Sequence, residues 1–193
     1  MNTPNKLTLA RVLMVPLFVL FFYWNFKAHY LAATLVFVIA SITDAIDGKL
    51  ARSNNQVTDF GKFLDPLADK VLVVAALSCL LQSQKVNIVV FLLIVTREFM
   101  VSALRLVVAN KGTVVPAGFA GKLKTAFTMA ALIAALLYWS FRLDFDSFGM
   151  TDSGLFSGIE IVLAVLFWIA ALLTVWSGAE YLIHYWKDID PNT

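Results

Sequence analysis

The sequence predicts an all-α integral membrane protein, a bundle of six transmembrane helices with both termini cytoplasmic. Three observations predict it. Of the 193 residues 60% are hydrophobic, and the mean hydropathy is +0.80, whereas a soluble domain is about 45–50% apolar. Apolar runs recur along the chain with few breaks, each near the roughly 20 residues a bilayer crossing needs. They lack the two-residue alternation of a barrel, so helices are the only spanning structures left. The third observation is loop charge. The N-terminus, the loops after the second and fourth runs and the C-terminus hold Lys6, Arg11, Lys49, Arg52, Lys62, Lys70, Arg105, Lys111, Lys122, Lys124 and Lys187, while the other side holds Lys27, Lys85 and Arg142. Eleven cations against three set the richer side in the cytoplasm. No soluble segment or internal repeat divides the chain, so residues 1–193 are taken as a single membrane domain.

The runs justify six helices in order. The first, Leu7–Phe26, contains Pro16, which predicts a kink. Large residues follow its apolar stretch, so it reads as a retained span rather than a cleaved signal. The second, Tyr30–Leu50, ends on acids, and His29 is placed in the loop before it. The third, Pro66–Leu81, is short if Asp69 and Lys70 stand at its mouth. It holds Cys79, the single cysteine, which excludes a disulfide framework and a thiolate metal site. The fourth, Val86–Ala109, carries Arg97 and Glu98 in its interior, and the fifth, Leu123–Phe141, opens beside Lys122 and Lys124. The sixth, Ile159–Tyr185, is long enough to tilt or protrude. Glu180 and His184 near its end read as a helix-end pair. Trp24, Trp139 and Trp186 fit an interfacial aromatic belt, while Trp168 and Trp176 read as packing or lipid-facing. The net charge of +2 comes with no basic arm, so nucleic acid is not an expected partner.

The chemistry concentrates between the second and third runs. Asp44 and Asp47 are three apart, Asp65 and Asp69 four apart, and on helices each pair shares a face. A short connection makes the two helix ends neighbours, so four carboxylates converge. Unpaired, they would be costly beside a membrane. Convergent hard oxygen ligands suit Mg²⁺, Mn²⁺ or Ca²⁺, and two such ions would neutralise four carboxylates. Two metals are also the usual clamp for displacement at phosphorus. Gly48 and Ala51 keep the helix thin for a ligand's approach, Arg52 supplies a phosphate fork, and Gly61 permits close approach before the second pair. Helix capping accounts for one such Asp, but not for four at this spacing.

The pattern Asp44-x2-Asp47-Gly48-x2-Ala51-Arg52-x8-Gly61-x3-Asp65-x3-Asp69 resembles the signature of the CDP-alcohol phosphotransferases. Their six-helix topology also matches the hydropathy. The resemblance implies transfer from a CDP-linked donor to an alcohol, with release of CMP. It implies that Asp44, Asp47, Asp65 and Asp69 hold two divalent metal ions, Mg²⁺ or Mn²⁺, and that Asp69 acts as general base on the acceptor hydroxyl. It also implies that Gly48, Ala51 and Arg52 bind the CDP moiety. Asn5, Thr8 and Arg11, spaced by three at the start of the first run, resemble residues that complete the nucleotide pocket.

The acceptor is read from other cations. Arg97 and Arg105 on the fourth run, with Lys122 and Lys124 at the fifth, suit an acceptor that already carries phosphate. The plainer alternatives are a structural ion pair for Arg97 and Glu98, and anchors at the membrane surface for the lysines. These stretches resemble the glycerol-phosphate branch of the family, which implies CDP-diacylglycerol as donor, sn-glycerol 3-phosphate as acceptor and membrane lipids as surroundings. The resemblance further implies a homodimer in the bacterial cytoplasmic membrane, its active site facing the cytoplasm. Two other readings compete. One is the same chemistry with inositol phosphate, serine or phosphatidylglycerol as acceptor. The other is a divalent-cation transporter, weakened by the confinement of the acids to one membrane side.

Overall fold

The computed structural model describes the backbone of residues 3–53, 59–110, 118–144 and 154–186, and the side chains of 9–43, 68, 70–108, 118–144 and 156–186. Among the described residues there are six α-helices and no strand: α1 Thr3–Tyr23, α2 His29–Ser53, α3 Asp59–Gln82, α4 Ile88–Asn110, α5 Phe119–Trp139 and α6 Gly154–Tyr185. A π-helical turn, Ser140–Asp144, continues α5. Each helix corresponds to one predicted run, with the ends of α1 and α5 and the start of α4 two or three residues inside theirs. α2 and α3 extend beyond theirs, so both Asp pairs stand on helical backbone.

Contacts at the helix ends set the topology. Tyr23 on α1 donates to Gln82 Oε1 on α3 at 2.6 Å. Asp144, brought round by the π-turn, accepts from Leu31 N at 2.7 Å and lies 3.4 Å from Tyr30 N. It thus caps the first turn of α2, whose early N–H groups have no partner within the helix. The Lys85 ammonium, in the turn between α3 and α4, sits 3.3 Å above the Trp139 ring centroid. Burial pushes its pKa below the ordinary value, and neighbouring Arg142 acts in the same direction. Arg142 also pairs with Glu160 on α6. The ends of α1, α3 and α5 and the starts of α2, α4 and α6 therefore gather at one end of the bundle. At the opposite end the start of α5 meets the end of α6, where Gly118 N donates to the Tyr181 hydroxyl at 3.0 Å. The helices alternate up and down, so the Asp-bearing ends of α2 and α3 lie at this second end.

Packing is uneven along the bundle. The main core, with Phe18, Phe37, Leu77, Leu80, Ile94, Leu132 and Leu136 all buried, fills the first end and the middle. Buried alanines such as Ala33, Ala40, Ala76, Ala131 and Ala135 let the backbones approach. Hydroxyls inside this region bond back to their own helix: Thr34 to Tyr30 O at 2.7 Å, Thr128 to Lys124 O at 2.9 Å and Thr174 to Ala170 O at 2.6 Å. A smaller cluster of Val101, Leu104, Val108, Tyr181 and Tyr185 joins α4 to α6 near the second end. Polar groups occupy the space beside it.

Two segments, Phe119–Asp144 and Phe156–Tyr185, are long and apolar enough to cross a membrane, with mean hydropathy 1.6 and 2.4. Only 28% of the α6 window is buried. A core helix of a soluble protein would be mostly covered, whereas Ile161, Val162, Val165, Leu172, Val175 and Ile183 all face outward. A long helix that leaves so much apolar surface uncovered suits a hydrocarbon surrounding. Trp168 and Trp176 are exposed on this same helix.

Three smaller expectations are corrected. His29 is not a loop residue: it opens α2, with a ring nitrogen 3.2 Å from Phe22 O and its ring tilted against Tyr30, 4.1 Å between centroids. Trp139 is buried beneath Lys85 and Arg142, unlike the exposed Trp24 and Trp186, because it closes the end of the core. Glu180 and His184 are both exposed and no hydrogen bond or ion pair joins them; His184 packs edge-on against Tyr185 instead, 4.8 Å between centroids.

Candidate functional site

Arg97, Glu98 and Arg105 come from α4, Lys124 from α5, and Ser177 and Tyr181 from α6. Arg97 and Glu98 interrupt an apolar helix, so their charges must be met locally. The Glu98 carboxylate is paired with the Lys124 ammonium across the α4–α5 gap and lies 3.6 Å from Arg97 Nη1. Lys124 is only 4% exposed, so its charge depends on this partner. Arg97 Nη2 donates to Ser177 Oγ at 2.5 Å. Two turns later on α4 and one turn later on α6, Arg105 Nη2 donates to the Tyr181 hydroxyl at 2.7 Å. The Tyr181 ring also faces both guanidinium groups, 5.6 Å from Arg97 Cζ and 5.1 Å from Arg105 Cζ.

Two glycines shape the approach. A Cβ on Gly178 would come 3.0 Å from Arg97 Cγ and 3.4 Å from Met100 Cε, so the absent side chain leaves room for the arginine stem to cross α6. At Gly121 an added Cβ would meet Ser177 and Tyr181 at ordinary contact distance, 3.7 Å.

Of the predicted phosphate-binding cations, the structure joins Arg97, Arg105 and Lys124 in one network. Lys122 is exposed. Residues two apart on a helix point about 200° apart, so the two lysines do not share one pocket. Glu98 partners Arg97, as the plainer reading had it, and also Lys124 on a neighbouring helix. Sequence reasoning missed Ser177 and Tyr181. The available signal was the series Thr174, Ser177 and Tyr181, which recurs every three or four residues and so marks a polar face on an apolar helix.

Of the predicted nucleotide-binding residues, Arg11 is 2% exposed, buried within the bundle. The side chains of Asn5, Thr8, Asp44, Asp47, Ala51, Arg52, Asp65 and Asp69, and the surroundings of Gly48 and Gly61, lie outside the described residues. Their backbone is helical throughout, which keeps the three- and four-residue spacings of the acids face-sharing. α2 and α3 are also in direct contact. Four carboxylates on two touching helices are a donor set that fits hard divalent cations. Among the described residues no other group of three or more His, Cys, Asp or Glu gathers.

The family model described as CDP-alcohol phosphatidyltransferase matches residues 1–176. Three relatives are similar to the chain over nearly their whole length. A protein of Bacillus subtilis (strain 168) is 40% identical, covering 97% of each chain. One of Rickettsia prowazekii (strain Madrid E) is 41% identical, covering 93% of each. One of Haemophilus influenzae (strain ATCC 51907 / DSM 11121 / KW20 / Rd) is 38% identical, covering 94% of this chain and 91% of its own. All three are named CDP-diacylglycerol–glycerol-3-phosphate 3-phosphatidyltransferase.

Proposed function

The chain belongs to the CDP-alcohol phosphatidyltransferase family, and from that premise we infer that it transfers the phosphatidyl group of CDP-diacylglycerol to sn-glycerol 3-phosphate. The products are phosphatidylglycerol phosphate and CMP, which makes it an enzyme of phospholipid synthesis. The observation that carries the reading is the pairing of Arg97 and Arg105 at the bundle end that bears the Asp44–Asp69 motif. Cations suited to an acceptor phosphate and a motif suited to phosphoryl chemistry thus belong to the same end of the bundle.

All six helices cross the membrane in this reading, with both termini and the site on the cytoplasmic side, and two copies associate as a homodimer. CDP-diacylglycerol enters from the inner leaflet with its tails in lipid. Asn5, Thr8, Arg11, Gly48, Ala51 and Arg52 bind its CDP part. Asp44, Asp47, Asp65 and Asp69 would hold two divalent ions, Mg²⁺ or Mn²⁺, which when bound offset the charge that develops on the pyrophosphate as CMP leaves. Arg97 and Arg105 bind the acceptor's phosphate, with Lys124 beside them. Lys122, exposed on the other side of α5, serves as an anchor at the membrane surface. Asp69 takes the proton from the free primary hydroxyl, whose oxygen attacks the phosphorus bearing diacylglycerol as the bond from that phosphorus to the CMP oxygen breaks.

The test is CMP release by detergent-purified protein, supplied with CDP-diacylglycerol and each candidate acceptor in turn. Release that needs glycerol 3-phosphate, stops with chelator and returns with Mg²⁺ or Mn²⁺ is expected. Asp69→Asn should remain folded and lose turnover. Release with serine or inositol phosphate alone would overturn the acceptor, and near-normal turnover of Asp69→Asn would remove the base.

A further inference from the structure

We propose that Tyr181 is the positioning residue of the acceptor-phosphate pocket: it holds Arg97 and Arg105 as a preset pair and thereby selects a phosphorylated alcohol over a neutral one. The inference rests on the acceptor reading above and adds the group that organises it.

Tyr181 is 4% exposed. Its hydroxyl oxygen accepts two N–H groups from different elements, Arg105 Nη2 at 2.7 Å and Gly118 N at 3.0 Å. That one atom therefore joins α4, the start of α5 and α6. Its ring faces both guanidinium groups, which otherwise repel each other. Ser177, one turn earlier, accepts from Arg97. Each arginine thus has one nitrogen tethered to α6, and both lie beside one ring.

The tethers are neutral, and this decides their role. Glu98 is the one carboxylate in the network among the described residues, and Lys124 shares it. A serine and a tyrosine orient guanidinium groups without neutralising them, so positive charge is left for a ligand. Arg97 Nε is buried with no hydrogen-bond partner among the described residues, a donor that costs free energy until an acceptor arrives. A phosphate monoester dianion supplies both the acceptor oxygens and the missing charge. A neutral alcohol supplies neither. Holding the two arginines in place beforehand removes the ordering cost that their flexible side chains would otherwise add to binding.

The experiment compares wild-type enzyme, Tyr181→Phe and Tyr181→Leu in steady-state turnover, varying glycerol 3-phosphate and CDP-diacylglycerol separately. Inorganic phosphate serves as a competitive probe of the same pocket, and glycerol as the neutral acceptor. Tyr181→Phe keeps the ring and loses the hydroxyl. It should raise the acceptor KM and the inhibition constant of phosphate by about tenfold, the scale of one hydrogen bond to a charged group. The donor KM and kcat should stay within about twofold, as expected when the interaction lost serves only the acceptor's phosphate. Tyr181→Leu should raise the acceptor KM further and narrow the preference for glycerol 3-phosphate over glycerol. Merely structural damage would lower kcat or change both KM values together, and that pattern would overturn the proposal. Should wild-type enzyme use glycerol 3-phosphate while both variants keep its acceptor KM, Tyr181 has no positioning role and the functional reading stands. Should wild-type enzyme release no CMP with glycerol 3-phosphate, the reading and the proposal fall together.

Discussion

At the scale of single residues, Gly178 gives the arginine pair a sharp test. An alanine there must push the Arg97 stem by a few tenths of an ångström, because the added Cβ would lie 3.0 Å from Arg97 Cγ. Gly178→Ala should raise the acceptor KM about threefold or more, since small displacements of a positioning group are costly. Gly158→Ala on the same helix, where a Cβ would meet nothing within 4 Å, should leave both KM values unchanged. A wild-type acceptor KM in Gly178→Ala would mean that Arg97 can shift freely, against the tethered geometry. Charged residues were legible in the sequence, because Arg97 and Glu98 are conspicuous in an apolar run. Their partners were not. Arg97 and Ser177 are 80 positions apart, as are no two residues that local periodicity can relate. A serine or tyrosine in a membrane-length helix carries no charge to draw notice.

Among elements, the α4–α5 contact turns on Glu98 and Lys124. With side-chain exposures of 16% and 5%, this pair is largely withdrawn from water. Breaking it by changing one partner should cost about 3–5 kcal/mol, because the other charge is left buried and alone. Glu98→Leu and Lys124→Met should each lower the melting temperature in detergent. The double variant should lose clearly less than the sum of the two. Additive losses would show that the pair is not a coupled unit. The helices themselves were readable from hydropathy to within a few residues, except where α2 and α3 run on through polar sequence. There the apolar signal stops but the backbone hydrogen bonds do not. The cap that Asp144 supplies to α2 could not be read, since it spans 113 positions to Leu31 and depends on a π-turn.

The whole molecule makes an orientation testable. In a Cys79→Ser background, Gln84→Cys lies in the α3–α4 turn and Ser53→Cys at the end of α2, at opposite ends of the bundle. A membrane-impermeant maleimide applied to intact cells should label Gln84→Cys and not Ser53→Cys until the membrane is opened. The reverse pattern would overturn the cytoplasmic placement of the acids and of the Arg97–Tyr181 network.

The sequence by itself determined the helical class, the six apolar runs, the charge asymmetry of the loops and the eight-residue motif between Asp44 and Asp69. These properties are local or additive: hydropathy sums along the chain, and helix periodicity relates residues three or four apart. Only the tertiary structure decided which cations share a pocket, why Lys124 is buried on Glu98 while Lys122 is exposed, and that Tyr181 carries both arginines. Those outcomes depend on how α4, α5 and α6 rotate against one another. Rotation is set by close packing of small and large side chains across helices, and no single helix contains that information.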